Sequence, residues 1–129
     1  MPQLIVRILV GLIGALAVLL ALRIWIDPAA VGETLGLVGM GGLGRATLRA
    51  DVGGFFGAAG TMALAGAIRN DRRLLTAPLV MIGLALTGRV ITRFADGLTP
   101  AQVPPMLIEG VLVVILAGGR RILGVGGRR

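Results

Sequence analysis

The chain lacks most of the side chains that enzymes use for chemistry. Its 129 residues include no cysteine, no histidine and no tyrosine. Disulfides, thiol nucleophiles, iron–sulfur clusters and Cys-ligated zinc are therefore excluded, and the commonest general base and metal ligand is absent. We expect no metal site and no cofactor, and an enzyme is the last function class that we consider.

Charged residues are also scarce. Only 15 % of the residues are charged and 56 % are apolar, whereas soluble domains have about 25 % charged and about 45–50 % apolar residues. The mean hydropathy of +0.95 excludes a disordered chain, since disorder requires low hydrophobicity. The length fits a single domain, residues 1–129. The composition predicts a membrane protein.

The net charge of +7 is the difference between thirteen arginines and six acidic residues, and the chain has no lysine. Nucleic-acid binding would require these arginines on one exposed face, together with aromatic rings that stack on bases. Aromatic residues make up only 3 % of the chain, and the arginines interrupt long apolar runs instead of forming one block. We therefore expect membrane lipids, and not nucleic acid, as partners.

Four apolar segments predict an all-α fold, a four-helix transmembrane bundle. A bilayer core of about 30 Å needs about 20 helical residues, and the segments cover residues 4–26, 48–68, 74–94 and 103–119. Asp27 and Pro28 have the residue types of an N-cap and a first helical position, so a short interfacial helix is predicted over residues 28–37. The alternative for the first segment is a cleaved signal peptide, but the residues after it form a poor cleavage site.

The arginines also predict the orientation of the helices. Four spans place both termini and residues 69–73 on one side, and arginine is enriched on the cytoplasmic side of membrane proteins. Eight arginines lie on the side of the termini: Arg7, Arg69, Arg72, Arg73, Arg120, Arg121, Arg128 and Arg129. Five lie on the other side: Arg23, Arg45, Arg49, Arg89 and Arg93. This distribution predicts cytoplasmic termini.

Charged residues in three of the spans are predicted to share one layer below the outer surface. Asp51, Arg89 and Glu109 lie about 5, 7 and 9 Å inside their helices at about 1.5 Å per residue. An unpaired charge is costly in a membrane, so we expect Arg89 to pair with Glu109, and Arg49 or Arg89 to pair with Asp51. The complete candidate cluster is Arg45, Arg49, Asp51, Arg89, Arg93, Asp96 and Glu109.

This cluster has three interpretations. It fixes the register and orientation of the helices, or it forms an outward-opening pocket for a small polar ligand or a lipid head group. Arginine forks suit carboxylate or phosphate groups in such a pocket. The third interpretation is a proton relay through Glu109 and Asp51.

A glycine-rich stretch in the second span predicts close helix packing. Small residues spaced along one helix face let two backbones approach each other in a membrane, and the stretch contains Gly53, Gly54, Gly57 and Gly60. Packing within the bundle is one interpretation of these glycines. A homo-oligomer is the other.

An ordered set of short motifs resembles domain-of-unknown-function family 4345, a group of small bacterial membrane proteins, and more distantly the DoxX-like four-helix proteins. The motifs are Asp27-Pro28, Gly44-Arg45, Leu48-Arg49-Ala50-Asp51, Gly53-Gly54, Gly88-Arg89, Asp96-Gly97 and Glu109. The resemblance covers nearly the whole chain and implies a bacterial inner-membrane protein with its site at these charges. It implies no reaction.

These features favour a non-enzymatic protein of the inner membrane that binds, or helps to transport, a small polar ligand or lipid. The alternative is an accessory subunit that packs on a larger membrane complex through its glycine-rich face. A small molecule that copurifies with the protein favours the first function, and a stoichiometric protein partner favours the second.

Overall fold

The structure is a computed structural model that describes residues 1–124, and these residues form helices and connecting turns without any strand. Four helices are long and apolar enough to cross a membrane, as the hydropathy pattern predicts. The helices are α1 (Pro2–Ile26), α2 (Pro28–Thr34), α3 (Gly42–Arg69), α4 (Arg72–Ala95) and α5 (Pro100–Ile122). Arg128 and Arg129, two of the eight arginines counted on the side of the termini, lie outside the described residues.

Several helix boundaries differ from the sequence prediction, and glycine is involved at two of them. The short helix α2 ends at Thr34, before residue 37, because Gly36 adopts a φ of +80° that an α-helix does not contain. Helix α3 begins at Gly42, ahead of the predicted start at residue 48. Glycine has a low intrinsic helix propensity, so the sequence around Gly42 and Gly44 does not reveal this first turn.

The helix ends follow from local side-chain chemistry. The carboxylate of Asp27 accepts a hydrogen bond of 3.2 Å from the backbone N–H of Ala30, which is the predicted N-cap of α2. Asn70 ends α3 with a φ of 52°, in the left-handed region that asparagine tolerates. Asp71 then accepts a bond of 2.9 Å from the backbone N–H of Arg73 and caps the start of α4.

Helices α1 and α3 approach each other most closely at two glycines. A Cβ atom on Gly14 would lie 2.6 Å from the backbone nitrogen of Leu64, and one on Gly60 would lie 2.8 Å from that of Val18. Both distances are too short for any side chain. The two backbones are therefore in direct contact at this crossing, as small residues permit in membrane helices.

One end of the molecule, here named the closed end, joins the start of α1 to the ends of α3 and α5. The side-chain oxygen of Asn70 accepts bonds from Gln3 Nε2 at 3.3 Å and from the backbone N–H of Gly124 at 3.4 Å. Beneath it, Val10, Leu75 and Leu116 are buried in one apolar cluster to which all four long helices contribute. The closed end is thus packed tightly across the molecule.

The opposite end, here named the open end, is packed differently. Its buried cluster consists of Ile24, Val31 and Leu48, with Leu20 and Phe56 among the side chains against it. These residues belong to α1, α2 and α3. Helices α4 and α5 pack on each other but add no described residue to this cluster, and a cavity separates them from α1 and α3.

Candidate functional site

The cavity between the four long helices, here named the central cavity, has a volume of about 330 Å³. Its walls come from α1, α3, α4 and α5, and every lining residue is apolar or glycine except Arg89 and Glu109. The largest side chains in the wall include Phe55 and Phe56, whose rings meet edge to face with centroids 5.3 Å apart. The central cavity is therefore an apolar chamber with one charged pair in its wall.

The charged pair joins α4 to α5. Nε of Arg89 donates a hydrogen bond of 2.8 Å to Oε1 of Glu109, and the two side chains are 37 % and 15 % exposed. The structure therefore confirms the ion pair predicted from the similar depths of these two residues in the third and fourth spans. Because opposite charges neutralise each other at this distance, the pair lowers the cost of placing either charge at membrane depth.

The pair leaves hydrogen-bonding capacity unused. Oε2 of Glu109 is buried and has no partner among the described residues. Only Nε of the Arg89 guanidinium is bonded within residues 1–124, whereas a guanidinium carries five N–H donors. A buried acceptor and free donors therefore stand side by side, and a buried polar atom without a partner is rare and costly in proteins.

Arg49 does not join this pair. Its Nε donates to the carbonyl oxygen of Trp25, and the indole Nε1 of Trp25 donates to the carbonyl oxygen of Arg49, both at 3.0 Å. These reciprocal bonds lie where α3 contains a π-helical segment, Leu48–Gly53. The side chain of Arg49 thus fastens the end of α1 to α3.

The predicted ion pair of Asp51 with Arg49 or Arg89 is missing from the described part of the chain. Asp51 lies in the π-helical segment and is exposed, and the ion pair between Arg89 and Glu109 is the one formed within residues 1–124. Depth along the membrane does not fix the rotation of a residue about its helix axis. A π-helical turn changes that rotation further, so the sequence predicts a level for Asp51 along the helix but not the face on which it lies.

The other members of the predicted cluster are spread over the surface of the open end. Arg45, Arg93 and Asp96 are exposed, and none forms an ion pair with another described residue. The seven charged candidates therefore reduce to one pair in the cavity wall. The apolar wall residues were missed by sequence reasoning because the spans are apolar on every face, and such a pattern does not reveal which side points inward.

Three of the four candidate packing glycines lie against α1. A Cβ atom on Gly53 would lie 2.6 Å from the indole Nε1 of Trp25, and Gly57 and Gly60 also face α1. Gly54 differs, because no described atom beyond its own turn of helix lies within 4 Å of the position of its Cβ. The glycine face is therefore largely occupied within the chain.

No family model, curated protein or solved structure matches this chain. The resemblance to domain-of-unknown-function family 4345 thus stays a prediction from the motifs that carry it. The central cavity, with its single ion pair, is the feature from which a function can be inferred.

Proposed function

We propose that the protein is a four-helix transmembrane bundle whose central cavity binds, or helps to move, a small lipid-soluble molecule with one polar group. The observation that carries the proposal is the combination of about 330 Å³ of apolar space with a single ion pair in its wall. Small-molecule sites are mostly apolar cavities of about 300–1,000 Å³ with a few polar groups that orient the ligand.

The hydrogen-bonding groups favour an uncharged polar group on the ligand. The charges of Arg89 and Glu109 already balance each other at 2.8 Å, so a charged ligand would leave one net charge in an apolar site. The unpartnered Oε2 of Glu109 needs a donor, and Arg89 has donors that need an acceptor. A hydroxyl group satisfies both needs, since it donates one hydrogen bond and accepts two.

The wall of the cavity favours entry from the side, between α1 and α5. Leu16 of α1 and Ile108 of α5 line the cavity and are 66 % and 58 % exposed. In a bilayer these exposed faces would meet lipid chains. A lipid-soluble molecule would therefore enter the cavity without crossing water.

The proposed location is the bacterial inner membrane with both termini in the cytoplasm. Eight arginines against five support this orientation, and it puts the closed end on the cytoplasmic side. The Arg89–Glu109 pair in the wall of the central cavity then lies nearer the outer leaflet. The protein would take up its ligand from that leaflet.

Photocrosslinking tests the proposal. The purified chain in lipid nanodiscs is irradiated with a long-chain alcohol that carries a diazirine on its chain, and the labelled residues are located by mass spectrometry. We expect labels on the cavity wall, for example at Phe55, and their loss in Ala85→Phe, because Ala85 lines the cavity and a phenyl ring there fills it.

Leu84→Phe is the matched control. Leu84 is the neighbour of Ala85 in the chain, is 66 % exposed and does not line the cavity, so this variant should label like the unaltered chain. Labelling that is spread over the lipid-facing surface, or that survives Ala85→Phe, argues against a ligand in the cavity. A stoichiometric protein partner in native mass spectrometry, together with an unlabelled cavity, would favour an accessory subunit instead.

A further inference from the structure

A second cavity, here named the arginine cavity, lies at the closed end between α4 and α5. Its volume is about 690 Å³. Arg72 and Arg73 line it from the start of α4, and Arg120 and Arg121 line it from the end of α5. Two helices that meet at one end of the molecule therefore place four arginines around one cavity.

The charge in the arginine cavity is not balanced by any acidic side chain among the residues that the structure describes. None of the four arginines forms an ion pair within residues 1–124. Asp71 is the acidic residue beside them in the chain, and its Oδ1 accepts a bond from the backbone N–H of Arg73. Like charges around one cavity repel each other unless an anion lies between them.

One of the four arginines is held in place. Nε of Arg120 donates a hydrogen bond of 2.9 Å to Oγ1 of Thr76. The remaining N–H groups of Arg120 stay available, since its Nε takes up only one of five donors. A fixed guanidinium loses less conformational entropy when it binds an anion.

We propose that the arginine cavity binds the head group of an anionic phospholipid with two phosphates. Four guanidinium groups exceed what a single phosphodiester of charge about −1 can neutralise, and arginine forks bind phosphate oxygens in a bidentate manner. Leu79 and Ala117 supply apolar surface in the same cavity. The phosphates would contact the arginines while the acyl chains follow the lipid-facing sides of α4 and α5.

The location agrees with this ligand. The charged residues lie at the ends of two membrane-spanning helices, where head groups lie in a bilayer. Basic pockets between transmembrane helices bind doubly charged head groups in this way. The arginine cavity shares no lining residue with the central cavity, so the two proposals can be tested independently.

Lipid retention tests this inference. The full chain is placed in phosphatidylcholine nanodiscs with small, equal amounts of cardiolipin, which has two phosphates, and phosphatidylglycerol, which has one. Native mass spectrometry then measures the lipid that stays bound. We expect selective retention of cardiolipin. The double variant Arg72→Gln/Arg121→Gln should bind cardiolipin with an affinity about 30-fold lower, because each arginine contributes about a fivefold effect.

The control removes the same charge elsewhere. Arg69→Gln/Arg93→Gln alters two exposed arginines that do not line the arginine cavity, so its affinity should stay within about threefold of the unaltered chain. Equal retention of the two lipids, or equal losses in the two double variants, would overturn the inference. Displacement of cardiolipin by pyrophosphate, but not by chloride at the same ionic strength, would identify a soluble diphosphate as the ligand instead.

Discussion

The ion pair of Arg89 and Glu109 has two separable consequences at the scale of single residues. It neutralises charge between two candidate membrane-spanning helices, and it leaves Oε2 of Glu109 without a partner in residues 1–124. The unpartnered oxygen contributes nothing to the packing of α4 against α5, so a purely structural role does not account for it. A double substitution can therefore separate stability from ligand binding.

Glu109→Leu should lower the free energy of unfolding by about 2 kcal/mol, because it leaves the charge of Arg89 without a partner. This value is below the about 3–5 kcal/mol lost when a fully buried pair is broken, since the Arg89 side chain is 37 % exposed. Thermal unfolding in detergent measures the change.

The double variant Arg89→Leu/Glu109→Leu should recover most of this loss, because apolar replacements of an ion pair are often neutral. The same variant should no longer retain the diazirine alcohol in the central cavity. A double variant that binds the alcohol normally would show that the pair serves the packing of α4 and α5 alone.

The sequence was sufficient to predict this pair but not its surroundings. Antiparallel spans put Arg89 and Glu109 at one depth, and depth follows from residue numbers. The rotation of Asp51 about its helix depends on the π-helical segment, and the bonds of Arg49 depend on where Trp25 lies. Both are tertiary features that have no local sequence signal.

At the scale of helices, the contact between α1 and α3 determines how the open end is built. Gly14 and Gly60 bring the two backbones together, and Gly53 and Gly57 accommodate Trp25 above them. The motif in the sequence marked this face correctly, although Gly54 has no described neighbour where its Cβ would be. Adjacent glycines in one helix point in directions about 100° apart, so only part of a glycine-rich run can face one partner.

Gly60→Leu should therefore separate α1 from α3 and destabilise the fold. A side chain at this position meets the backbone of Val18 at 2.8 Å, and overpacking against backbone atoms costs about 1–3 kcal/mol or more. Proteolysis in detergent and the thermal midpoint report the loss.

Gly54→Ala provides the opposite comparison. Space is open at Gly54, and alanine has a helix propensity about 1 kcal/mol better than that of glycine, so this variant should unfold at a slightly higher temperature. If both variants are equally destabilised, the α1–α3 contact as described is wrong.

At the scale of the whole molecule, orientation depends on the balance of arginines between the two sides. Eight against five favours cytoplasmic termini, and four of the eight line the arginine cavity. The number of spans and their composition follow from the sequence because bilayer thickness imposes a length on every apolar helix. The two cavities do not follow from it, since they arise from the spacing between helices.

Replacement of Arg72, Arg73, Arg120 and Arg121 by glutamine should weaken the orientation. The balance then becomes four arginines against five, and the bias that sets the topology disappears. A reporter fused after the last residue should be cytoplasmic in the unaltered chain and present on both sides in the variant. A reporter that is extracytoplasmic in the unaltered chain would reverse the proposed orientation.

The contrast between the closed end and the open end means that α4 and α5 are fixed at one end and can tilt about it. Leu75 and Gly119 hold α4 and α5 at the packed end, while at the other end the two helices are absent from the buried cluster around Ile24. A lever of about 20 Å runs from Gly119 to Pro105, so a tilt of about 5° moves its free end by about 2 Å. In a bilayer, lateral pressure and thickness would act on that free end, and the width of the gap between α1 and α5 should therefore vary with the membrane around it.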